Sequence, residues 1–174
     1  MFNTRNMTYQ NLVDVVLLKS LIDARVDSIY SDGLTVYKDH IETRLLVFRL
    51  TNKSWLNFTN QAHETPNDCD YYQLAISRTS IPNIPYNIKS DAIVYPFSKV
   101  GFKSTIVESI EIYNRVEKYG DETFDYDVVL LFKCKGKLQF IIALEERVDE
   151  WLVYSSNFKI INRYLKGLNL RIIV

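Results

Sequence analysis

The chain has 174 residues, of which 47% are hydrophobic and 24% charged, and its 21 Lys+Arg balance its 21 Asp+Glu. That length suits one domain able to bury roughly 70% of the surface its unfolded chain exposes, and the composition excludes disordered, collagenous and disulfide-stapled classes. A net charge of zero argues against whole-molecule attraction to nucleic acid or anionic lipid.

No basic segment followed by an apolar run and a small-residue cleavage site opens the chain. The greasiest stretch, residues 12–22, is interrupted by Asp14 and Lys19, and a bilayer span needs about 20 residues. Thr8 is the expected N-cap of a helix running to Asp23. Val13, Val16, Leu17, Leu21 and Ala24 would form its buried stripe, while Leu12, Val15, Leu18 and Ile22 leave the other face apolar too. Such a helix is sandwiched inside the fold or offers a face to a partner, and a homodimer through it is one expected assembly.

From Val26 the period changes to that of strands. Residues 26–30 and 34–37, around Ser31-Asp32-Gly33, read as a hairpin, and 40–50 as one longer strand. His40, Glu42 and Arg44 share a polar face of that strand, either a polar site or a solvated charge ladder. Residues 51–105 are dense in Asn, Thr, Ser, Asp and Pro, with strands expected at 71–78 and 92–95. A structureless connection of that length is uncommon, so it holds unplaced elements or a functional loop.

The C-terminal third is clearer. Residues 106–113 alternate as a strand, and 126–134 and 138–144 read as a central hairpin turning through Lys135-Gly136. Ser156 or Asn157 caps a helix over 158–166, with Ile160, Ile161, Tyr164 and Leu165 inward and Gly167 just past its end. Residues 170–174 close the chain as a strand. The expected class is α+β: one domain over 1–174, with a mainly antiparallel sheet of mixed strand lengths packed by an N-terminal and a C-terminal helix.

Common catalytic signatures are missing. The five glycines form no phosphate loop, no GxGxxG and no nucleophile elbow, and there is no CxxC or HExxH. A metal-dependent nuclease hairpin would place a lysine where Ile141 stands, so that pattern fails. His63, Glu64, Asp68, Cys69 and Asp70 gather potential ligands without the spacing of any standard metal module. Cys69 and Cys134 sit in unlike contexts and are expected to stay unbridged, as in a reduced, cytoplasmic chain. The aromatic group around Pro82, Pro85, Tyr86, Tyr95 and Phe97 packs over the core or forms a recognition loop.

One constellation depends on folding the hairpin. A turn centred on Lys135-Gly136 sets Asp127 opposite Leu144, Tyr126 opposite Glu145 and Asp125 opposite Glu146. Asp121, Glu122, Asp125, Asp127, Glu145, Glu146, Asp149 and Glu150 would then gather at one end beside Trp151. A solvated hairpin end that blocks edge pairing is the plain reading. The sharper reading is a docking face for a basic protein surface, with Trp151 as anchor, as in a small cytosolic inhibitor or immunity-type protein. Enzyme activity is less expected than binding. Metal-dependent hydrolysis or nuclease chemistry on the same carboxylates is one alternative, and small-molecule binding by a regulator is the other. No cofactor, no resident metal, no direct nucleic-acid contact and no membrane contact is expected.

Overall fold

The computed structural model describes residues 7–32, 35–65, 70–80, 86–87, 92–93, 98–145 and 151–174. In chain order the elements begin with β1 (Met7–Asn11), α1 (Val15–Lys19), β2 (Arg25–Ser31), β3 (Thr35–Val36), β4 (Ile41–Thr43) and β5 (Leu45–Leu50). Then come β6 (Trp55–Glu64), β7 (Asp70–Thr79), β8 (Tyr86–Asn87), β9 (Ala92–Ile93) and β10 (Ser98–Lys99). The chain continues through β11 (Thr105–Tyr119), β12 (Glu122–Cys134), β13 (Leu138–Leu144), β14 (Leu152–Ser155), α2 (Phe158–Leu165) and β15 (Asn169–Ile173).

Among the described residues thirteen strands join one sheet, along the path β3-β4-β14-β13-β12-β11-β2-β5-β6-β7, and β8 pairs β9 separately. Pairing is antiparallel except for β1, which lies parallel to β12. The two longest strands, β11 and β12, pair with each other and divide their outer edges among four more. On β12, β13 takes residues 129–134 and β1 takes 122–126. On β11, β2 takes Thr105 and Ile106 while β15 takes residues 111–114.

The sheet closes over its own apolar face. Phe48 of β5 and Phe58 of β6 meet Phe132 of β12 and Phe140 of β13, all fully buried. Ring centroids are 4.7 Å apart for Phe48–Phe58 and for Phe132–Phe140, and 5.7 Å for Phe48–Phe132. Aromatic pairs at such spacings contribute about 0.5–1.5 kcal/mol beyond area burial.

The C-terminal hairpin, helix and closing strand form where expected. Asn157 caps α2 by accepting the Lys159 amide at 2.9 Å, and Ile160 and Ile161 are its buried residues. Gly136 turns the β12–β13 hairpin at φ 78°, a conformation a side chain disfavours. No helix among the described residues is long and apolar enough to cross a membrane.

Three expectations are corrected. The N-terminal segment is a strand first: α1 covers five residues, with the Asp14 carboxylate accepting the Leu17 amide at 2.8 Å. The edge of β12 left open beyond β13 recruits residues 7–11 into the sheet. Leu18 and Leu21 are therefore buried while Val16 is 80% exposed, which breaks the expected stripe. β2 and β3 form no hairpin, since β2 pairs β5 and β3 pairs β4 near the other end of the sheet. Residues 40–50 break at Arg44 because β4 and β5 serve different partners, β14 and β2. The irregular middle does hold an unplaced element, as expected: the ten-residue strand β6, paired along its length with β7, which covers the expected strand at 71–78.

The hairpin register also differs by one residue: Phe132 faces Phe140 and Val129 faces Ala143. A one-residue slip moves every side chain to the other face. More consequentially, β1 occupies the edge of β12 from Glu122 to Tyr126, where the expected acidic cluster needed residues 145 and 146.

Candidate functional site

Each acidic residue singled out above meets a distinct fate. Asp121 is exposed at the β11–β12 turn. Glu122 is buried and accepts hydrogen bonds from the Tyr9 hydroxyl at 3.2 Å and the Thr65 hydroxyl at 3.4 Å. Asp127 is 1% exposed. Its Oδ2 accepts the Val13 amide at 3.0 Å and its Oδ1 accepts Arg171 Nε at 2.6 Å. Asp125 pairs with the same guanidinium and accepts Asn114 Nδ2 at 2.7 Å. Trp151 is half-buried, with Arg44 over its ring at 5.9 Å and its carbonyl accepting from Asn60 Nδ2 at 3.2 Å. Glu146, Asp149 and Glu150 lie outside the described residues.

Asp125 and Asp127 show how environment separates two carboxylates on one strand. At Asp125 burial favours the neutral acid, but hydrogen bonds from Arg171 and Asn114 outweigh it and hold the carboxyl below its ordinary range. At Asp127 deeper burial dominates over the Val13 and Arg171 hydrogen bonds and pushes the carboxyl up.

Glu145 follows a different course. It is buried at the end of β13, and its Oε2 accepts the Tyr164 hydroxyl of α2 at 2.6 Å. Burial first, then the Glu145 carboxylate, push the Tyr164 hydroxyl far up, so it stays a donor. Above this pair opens a cleft of about 350 Å³ between the C-terminal end of α2 and the sheet. Val129, Leu144 and Leu168 make its apolar wall, and Arg115, Arg163 and Lys166 line it with positive charge. Arg163 and Lys166 stand where the negative end of the helix favours cations. That argument does not reach Arg115, which arrives from the middle of β11. Three cations from separate positions thus converge where sequence reasoning had expected carboxylates. The available signal was the run of bases Arg163, Lys166 and Arg171 late in the chain, opposite in sign to residues 121–127.

Among the described residues no group of three or more His, Cys, Asp or Glu is arranged to hold a metal ion. His63 Nε2 lies 3.1 Å from Gln73 Oε1 and its ring stacks on Tyr71. Cys69 and residues 66–68 lie outside the described residues, as do the loop positions Pro82, Pro85 and Phe97. His40 sits between Asp39, at 2.8 Å, and Glu42, at 3.3 Å, with Tyr37 stacked on its ring, whereas Arg44 turns away to Trp151. Comparison with family models, with curated proteins and with solved structures finds no match to this chain.

Proposed function

We propose that this chain is a non-enzymatic α+β binding protein that takes a small anionic ligand in the cleft between α2 and the sheet. The observation that carries the reading is the convergence of Arg115, Arg163 and Lys166 on one cleft in which, among the described residues, the carboxylate is Glu145, engaged by Tyr164. Guanidinium forks suit the paired oxygens of phosphate or carboxylate, and a lysine adds a compact charge. The apolar wall lowers the local dielectric and strengthens each of these contacts.

A basic protein partner is the weaker reading. Glu122, Asp127 and Glu145 are buried and Asp125 is paired with Arg171, so Asp121 and Trp151 are what remains of that face among the described residues. The cation cleft asks for the opposite charge in its ligand.

Isothermal titration of inorganic pyrophosphate into the full chain tests the proposal. Saturable binding is expected, weakened about tenfold by Lys166→Gln, the loss of one charge-assisted hydrogen bond. Lys166 is exposed, so the variant keeps the fold. Absence of binding, or equal binding by the variant, contradicts the proposal.

A further inference from the structure

A second hollow, of about 250 Å³, is lined by Tyr71, Tyr72, Tyr119, Phe124 and Tyr126 together with Arg115 and Glu117. Arg115 is common to both cavities. We infer that the ligand is a nucleotide, its phosphates in the cation cleft and its planar base among these tyrosines, joined across Arg115. This inference rests on the anion-binding reading above and extends it to a ligand class.

The strand register builds the hollow. Arg115 faces Tyr126 and Glu117 faces Phe124 across β11 and β12, while Tyr71 and Tyr72 come from β7. Glu117 organises the polar edge: it accepts the Tyr126 hydroxyl at 2.9 Å and the Tyr119 hydroxyl at 3.1 Å, and it pairs with Arg115 at 3.5 Å. Both hydroxyls are thereby turned toward Glu117, so the hollow combines ring surface with a polar edge. Tyr119 stands edge-on to Phe124 and is 55% exposed, so its ring is accessible from solvent. Stacking of a base on aromatic rings tolerates any base, because every base has a π-face. Arg115 would sit between phosphate and ring, where a guanidinium serves both, by charge-assisted hydrogen bonding to one and by stacking or cation–π contact with the other. Glu117 acts as a positioning residue through Arg115.

The test compares three probes on the full chain by calorimetry: ADP, inorganic pyrophosphate and adenosine. ADP is expected to bind about tenfold more tightly than pyrophosphate, the increment of a single stacked base. Tyr119→Ala should erase that increment, so that ADP and pyrophosphate bind the variant alike, with an unaltered thermal melt as the check on folding. If pyrophosphate binds and ADP binds no better, or Tyr119→Ala leaves ADP affinity intact, the inference falls while the anion-binding reading stands. If adenosine binds as tightly as ADP, the hollow works without the cation cleft and the joined site is overturned. If none of the three binds, the anion-binding reading fails and takes the inference with it.

Discussion

Arg171 Nε donates to Asp127 Oδ1 at 2.6 Å while the other oxygen of that carboxylate takes the Val13 amide. One side chain of β12 therefore ties down both the C-terminal strand and the segment that follows β1. Asp127 sits at the gap between β13 and β1 along the edge of β12, where a backbone donor would otherwise lack a ladder partner.

Removing the cation from this arrangement leaves a buried carboxylate uncompensated. Arg171→Met is expected to cost about 3–5 kcal/mol in urea unfolding. Asp127→Asn combined with Arg171→Met should recover part of that loss, because the amide oxygen still accepts from Val13. A single variant with unchanged stability would show that the pair holds nothing together.

The two carboxylates oppose each other in their pH dependence. Asp125 is depressed below its ordinary 3.8, so its contribution is present above that pH and is lost as pH falls through the lower folded value. Asp127 is raised above 3.8, so its contribution is present below that pH and declines as pH rises through the folded value. Urea midpoints measured against pH should lose their fall below pH 3.8 in Asp125→Asn. Asp127→Asn should instead lose a decline above it. Parallel curves for both variants would contradict the assignment.

Cys134 is 1% exposed, and burial, with help from Glu108, pushes its thiol up to about 11. Thiol reagents attack thiolates, so the native chain should leave Cys134 unmodified at neutral pH and label it on unfolding. Peptide mapping separates it from Cys69. Rapid native labelling of Cys134 would mean that the β11–β12 region opens far more easily than its packing implies.

Gly136 offers a clean backbone test. A Cβ added there meets nothing within 4 Å, yet φ is 78°. Gly136→Ala should thus cost about 1–2 kcal/mol from conformation alone. A neutral result would imply that the turn relaxes to another type.

Much of the fold was legible where its signals are local. β13, α2 and β15 announce themselves through runs of apolar residues, an Asn157 cap and glycines at turns. The N-terminal strand was not, because nothing between Met7 and Asn11 encodes that an edge of β12 stands open more than a hundred residues later. β6 was hidden by Asn57, Thr59 and Asn60, polar residues that take strand positions between Leu56 and Phe58 and beyond. The cation cleft escaped notice for the same reason as β1. Arg115 and Arg163 line one cleft only once α2 has docked beside the middle of β12 and the end of β13, and charge patterning along the chain reads neighbours in sequence. The acidic cluster was visible as composition, but Glu122, Asp125, Asp127 and Glu145 find their partners within the fold.

The most direct measurement is a crystal structure of the full chain soaked with inorganic pyrophosphate. Density for the anion is expected between Arg115, Arg163 and Lys166, beside the Glu145–Tyr164 pair. Density at any other surface, or an empty cleft at a concentration that saturates binding in solution, would contradict the anion-binding reading.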